Sequence, residues 1–100
     1  MNGKQFFGLK IKGDSMLPDY KDGDVVIFQK QPDCNNGDDC VVMVNGNDAT
    51  FKRVFKNDNG ILLQPLNPSV CEPTSYNNEE IETLPVKIIG VYEELRRKRK

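Results

Sequence analysis

The chain has 100 residues with 14 basic and 15 acidic side chains, no histidine, and a formal charge of −1. That length holds a single core and not two, and no apolar run approaches the ~20 residues of a membrane-spanning helix. Five of the 14 basic groups lie in Arg96–Lys100, so 9 basic face 15 acidic groups before it, a net of −6 that excludes the basic docking face of a DNA-binding domain.

In chain order the segments are short, β-rich and separated by turn residues. Gln5–Lys12 alternates, with Phe7, Leu9 and Ile11 on one face, and reads as a first strand. Its start has neither the apolar stretch nor the cleavage pattern of a secretory signal, so the chain reads as cytoplasmic. Gly13–Asp22 is rich in turn formers, with Pro18 expected to begin a short helical turn. Asp22-Gly23-Asp24 turns into the strand Val25–Gln29, apolar enough to be buried on both faces. Gln31–Asp39 reads as loop and Cys40–Val44 as strand. Asn45-Gly46-Asn47-Asp48 is a strong hairpin signal because Asn and Gly tolerate positive φ. Ala49–Lys56 is the returning strand, and Asn57-Asp58-Asn59-Gly60 predicts a second hairpin into Ile61–Pro65. Asn67–Glu82, polar and rich in Asn and Pro, reads as a long surface loop. Val86–Tyr92 is a final strand, and Glu93–Lys98 has the i,i+4 charge spacing of one helical turn. With no long amphipathic helix, the fold class is mainly β. The basic tail, residues 96–100, reads as a solvated end or a contact for nucleic acid.

Cys34, Cys40 and Cys71 are odd in number and lack metal or redox spacing. Without histidine a zinc site would need all three thiolates and a carboxylate, so no metal is expected. Free, structural cysteines suit a reducing compartment, although a Cys34–Cys40 disulfide across the loop is conceivable.

The segment that carries chemistry is Gly13-Asp14-Ser15-Met16-Leu17-Pro18. Serine is a weak nucleophile at neutral pH and needs a base beside it. A chain without histidine cannot build the serine–histidine–carboxylate triad. A lysine held neutral by burial is the remaining base, and Lys52, mid-strand with Thr50 and Val54 on its face, is the candidate. An ordinary lysine titrates near ~10.4, leaving about one molecule in 2,500 neutral at pH 7. Bringing that value near ~7 means roughly 4–5 kcal/mol against the charged form, which burial can impose. The simpler readings are that Ser15 caps the Leu17–Tyr20 turn and that Lys52 is a solvent-facing edge lysine.

Gly13-Asp14-Ser15-Met16-x-Pro18, then Asp22-Gly23-Asp24-x-Val26, then Phe51-Lys52-Arg53 with serine and lysine 37 positions apart, resembles the LexA/CI-type serine peptidase family. Leu62-Leu63-Gln64-Pro65-Leu66-Asn67-Pro68 and Ile88-Ile89-Gly90-Val91-Tyr92 resemble that family's closing segments. The resemblance implies a fold of short, strongly twisted antiparallel sheets and hairpins with little helix, in one domain spanning 1–100. It implies Ser15 as nucleophile, Lys52 as general base, backbone N–H groups of Asp14 and Ser15 as the oxyanion hole, and no cofactor. It also implies a homodimer that cuts its own upstream linker at an Ala-Gly or Cys-Gly bond, stimulated by the RecA filament after DNA damage. DNA would be reached only through a helix-turn-helix domain ahead of this one. The fourteen residues before Ser15 contain no Ala-Gly or Cys-Gly pair, so the chain reads as a C-terminal domain without its linker. A second reading is a non-cleaving dimerisation or partner-sensing module of a transcriptional regulator. A third, a peptidase akin to signal peptidase, lacks the membrane anchor that role requires. Val86–Tyr92 is the expected dimer edge, by β-augmentation.

Overall fold

In the computed structural model, which describes residues 3–97, seven strands form one sheet and a single short helix covers part of it. The strands are β1 (Phe6–Lys10), β2 (Val25–Lys30), β3 (Asp38–Val44), β4 (Asp48–Asn57), β5 (Gly60–Gln64), β6 (Thr74–Asn77) and β7 (Val86–Arg96), with α1 spanning Asn78–Thr83. The sheet order is β1-β2-β7-β3-β4-β5-β6 and every pairing is antiparallel. The mainly β class expected from the sequence is what the chain adopts.

Two-residue alternation within the strands sorts the apolar side chains into two cores. One holds Ile11, Met16, Tyr20, Val26, Phe28, Val41 and Phe51, the other Cys34, Cys40, Val42, Val54, Ile61, Leu63 and Val86. The first is an aromatic stack, with Phe28 and Tyr20 edge-on to Phe51 at centroid distances of 5.1 and 4.7 Å. Burial on β2 is uneven, complete for Val26 and Phe28 and partial for Val25 and Ile27. The β3–β4 hairpin turns on Asn45 and Gly46, with φ of 57° and 79°, as the Asn-Gly signal predicts. The three cysteines are unpaired, Cys34 and Cys40 buried and Cys71 partly so.

Four expectations need correction. Gly13–Asp22 forms turns closed by Leu17 N–H to Asp14 O and Tyr20 N–H to Met16 O, and Pro18 opens no helix. The segment 67–82 is not all loop, because β6 pairs with β5 and α1 follows directly. Asn77 caps α1 through a reciprocal bond set with Glu80, the Asn-x-x-Glu capping box visible in the sequence. Glu93–Arg96 continues β7 instead of forming a helical turn. Residues two apart share a strand face, so Arg96 pairs with Glu94 at 3.0 Å.

The fourth correction concerns the expected dimer edge. β7 lies inside the sheet, and Gly90 and Val91 pair on both sides, with β2 and with β3. Each neighbour runs past the other by register, and β7 takes an extra residue against each, Ile89 opposite β3 and Glu93 opposite β2. Val86–Ile89 run beyond the end of β2 and Tyr92–Arg96 beyond the end of β3, so each stretch of β7 is open on one side. The basic tail likewise begins as structure: Arg96 is in β7 and Arg97 grips Asp24, while residues 98–100 lie outside the described residues.

Candidate active site

Lys52 leaves the sheet from the middle of β4, where β3 pairs with it and the ladder to β5 begins one residue later at Arg53. Its face carries Thr50 and Val54, and its partner across the ladder is Cys40. The amine donates to Thr50 Oγ1 at 2.9 Å and to the Phe51 carbonyl at 3.2 Å, and its Nζ lies 3.5 Å from Ser15 Oγ. Burial of the side chain lowers its pKa from the ordinary lysine value, opposed by the nearby Cys71 thiol. The solvent-facing edge lysine of the simpler reading is therefore not what the fold contains.

Ser15 sits on the turn that leads from β1 to β2, held by its buried neighbour Met16, which is 1% exposed. The capping role is not taken either, since Leu17 N–H donates to the carbonyl of Asp14 at 3.2 Å and not to the Ser15 hydroxyl. Gly13, at φ 83°, opens the turn, and its N–H donates to Asp22 Oδ1 at 2.7 Å. Asp14 is exposed. Among the described residues neither the Asp14 nor the Ser15 backbone N–H has a protein acceptor. The hydroxyl and amine border a cleft of about 350 Å³ walled by Leu9, Ile11, Met16 and Phe51. A second cleft of about 260 Å³, with Thr50, Leu63, Cys71 and Tyr76, lies on the other side of Lys52.

Two ion pairs anchor the segment that follows the serine turn. Asp39, 8% exposed, accepts from Arg53 through both oxygens at 2.7 and 2.9 Å and from the Tyr20 hydroxyl at 2.6 Å. Burial and that bond to Asp39 push the Tyr20 phenol well above its usual range. Asp24, 3% exposed, accepts from Arg97 at 3.0 and 2.8 Å and from Lys21 N–H at 2.8 Å. The Arg97 guanidinium holds the Asp24 carboxyl below the usual carboxylate range.

The sequence pairs Ser15 with Lys52, and the fold brings the two side chains together. Thr50 as the amine's acceptor and Asn67 as a partner of the serine turn emerge only in the fold. Asn67 bonds the serine turn twice, from its backbone N–H to Ser15 O and from its Nδ2 to Asp14 O, each at 3.0 Å. Among the described residues no cluster of histidine, cysteine and carboxylate side chains could hold a metal ion, and no helix is long and apolar enough to cross a membrane.

An antiparallel β domain that sets a lysine amine against a serine hydroxyl at the rim of a cleft has the makings of a serine peptidase. Residues 1–92 match the Peptidase S24-like family, and the chain belongs to it. It is similar to the LexA repressor of Geobacillus thermodenitrificans, 44% identical over 90 residues that make up 89% of this chain and 42% of that protein. The LexA repressor of Bacillus cytotoxicus is 40% identical over 92 residues, 91% of this chain and 43% of that protein. That of Geobacter sp. strain M21 is 40% identical over 95 residues, 94% and 46% respectively. The chain thus spans less than half the length of these relatives.

Proposed function

We propose that this domain is the self-cleavage and dimerisation unit of a LexA-like transcriptional repressor, with Ser15 as nucleophile and Lys52 as general base. The observation that carries the reading is the half-buried Lys52 amine 3.5 Å from the Ser15 hydroxyl. A neutral amine has two N–H donors and one lone pair. Thr50 Oγ1 and the Phe51 carbonyl occupy the donors, which leaves the lone pair for the Ser15 hydroxyl proton.

In this mechanism Ser15 Oγ attacks the carbonyl carbon of the scissile peptide as its proton passes to Lys52 Nζ. The negative oxygen of the tetrahedral intermediate is received by the unpartnered N–H groups at Asp14 and Ser15. Collapse breaks the C–N bond, the leaving amine takes the proton from Lys52, and water then releases the acyl group from Ser15. The cleft beside Met16 and Phe51 is apolar enough to take small side chains of an extended segment. The substrate is a small-residue–Gly bond in a linker of the same polypeptide, and DNA binding belongs to a separate helix-turn-helix domain. A RecA filament as stimulus and a homodimer as working state are part of this reading, as the family resemblance of the sequence motifs implies. The stretches of β7 open on one side, Val86–Ile89 beyond β2 and Tyr92–Arg96 beyond β3, are edges at which two copies could join.

The test is to fuse a segment carrying an Ala-Gly bond ahead of the domain and incubate at neutral and alkaline pH. Cleavage that rises with pH and is abolished in Ser15→Ala and Lys52→Ala supports the protease. An intact wild-type fusion at alkaline pH rejects it in favour of a non-cleaving interaction module.

A further inference from the structure

We infer that Asn67 is a positioning residue for the oxyanion site, locking the peptide plane that presents the Ser15 N–H; this rests on the proposed Ser15–Lys52 chemistry. The chain leaving β5 carries buried Pro65 and places Leu66 against the aromatic core, which brings Asn67 beneath the serine turn. There Asn67 makes the paired bonds to the Ser15 and Asp14 carbonyls. Its own amide orientation is fixed in turn, because Oδ1 accepts from Ser69 Oγ at 2.6 Å and Ser69 N–H at 3.3 Å. With the oxygen so engaged, Nδ2 is the only end of the amide left to face Asp14.

The geometry of the peptide unit gives these bonds their consequence. The Asp14–Ser15 bond is trans, so the Asp14 carbonyl and the Ser15 N–H share one plane and point in opposite directions. Holding the carbonyl against Asn67 therefore turns the Ser15 N–H away from it, as a donor with no protein acceptor among the described residues. Asn67 also follows β5, the strand paired with the Lys52-bearing β4, so one residue ties the nucleophile turn to the sheet that carries the base. Within the turn the Asp14 carbonyl also accepts from Leu17 N–H at 3.2 Å, and Asn67 adds the shorter bond from outside it. Catalytic donors act through being fixed before the charge develops, and a plane held by the turn alone is less fixed.

The test uses the domain itself and a fluorophosphonate ester as probe. In that reaction a P–O bond to Ser15 forms, the P–F bond breaks, fluoride leaves and the hydroxyl proton passes through Lys52 to water, while the phosphoryl oxygen occupies the oxyanion site. Two variants are compared with wild type. Asn67→Ala removes the Nδ2 donor. Asn67→Asp keeps the shape and the Ser69 bonds but sets an oxygen against the Asp14 carbonyl. Both are predicted to label at least about tenfold more slowly on the alkaline plateau, with the pH midpoint unchanged in Asn67→Ala, which adds no charge near Lys52. Labelling at the wild-type rate by folded variants, Asn67→Asp in particular, overturns the inference and leaves the dyad standing. A wild-type domain labelled no faster than Lys52→Ala overturns the dyad reading and this inference with it.

Discussion

Lys52 Nζ lies nearer to Thr50 Oγ1, at 2.9 Å, than to Ser15 Oγ, at 3.5 Å. The threonine is thus the amine's tightest partner, placed two residues away on the same face of β4, where strand periodicity puts it. It fixes the rotation of the amine. Thr50→Val keeps the shape and removes the acceptor, so a neutral Lys52 gains a donor without a partner and a choice of orientations. Self-cleavage of a linker fusion is predicted to slow about tenfold, a fraction of the roughly 10²–10⁴-fold that a general base supplies, while Thr50→Ser retains most of the rate. Cleavage time courses of both variants check this.

A charged Lys52 costs the folded state stability, because burial lowers its pKa. Below the folded midpoint both states are protonated and the folded one bears the whole desolvation cost. As pH rises from that midpoint to the unfolded value near ~10.4, the unfolded chain binds more protons and stability recovers. Lys52→Met, of similar length and uncharged, is therefore predicted to be more stable than wild type at pH 7, with the gap closing by pH 11. Urea midpoints at the two pH values measure it.

The Asp24–Arg97 pair gives a pH dependence of the same sign, in an acidic window. The Asp24 carboxyl is held below its ordinary range by Arg97, so its contribution is fully present above the unfolded value near ~3.9. It is lost as pH falls through the lower folded value. Arg97→Ala is predicted to be less stable than wild type at pH 7 and to converge with it in strong acid, read from thermal midpoints across that range.

Arg53 and Asp39 form the more enclosed pair, their side chains 31% and 8% exposed. Arg53→Met leaves a buried carboxylate with the Tyr20 hydroxyl as its remaining side-chain partner. Removing one member of a fully buried pair costs about 3–5 kcal/mol, and partial exposure of Arg53 reduces this to about 2 kcal/mol. The double variant Arg53→Met/Asp39→Leu is predicted to recover part of the loss, and urea unfolding of the two distinguishes them.

The strands were readable because their apolar residues either alternate, as in β1, or run together, as in β3, and the hairpins because Asn-Gly pairs mark positive φ. Ser15 and Lys52 were readable because a chain without histidine leaves few bases for a serine. What stayed hidden was long-range or ambiguous. Glu93–Arg97 offers helical i,i+4 spacing, yet Glu94 and Arg96 also sit two apart, and pairing with β2 decides for strand. Arg97 reaches Asp24 across 73 positions and Asn67 reaches Asp14 across 53, contacts no local pattern announces. Gly90 marks a third such contact. A Cβ there would meet the Phe7 ring at 2.6 Å, a close approach that exists only once β1, β2 and β7 are stacked side by side.

Activation of Ser15 depends on the protonation of one side chain, and that can be read directly by following the Lys52 ¹³Cε resonance through a pH titration of the folded domain. The prediction is a midpoint clearly below the ~10.4 of a free lysine, moving upward toward it when the domain is unfolded in urea. A Lys52 resonance that titrates in the folded domain together with the exposed lysines would show the amine fully charged at neutral pH and would contradict its role as the base for Ser15.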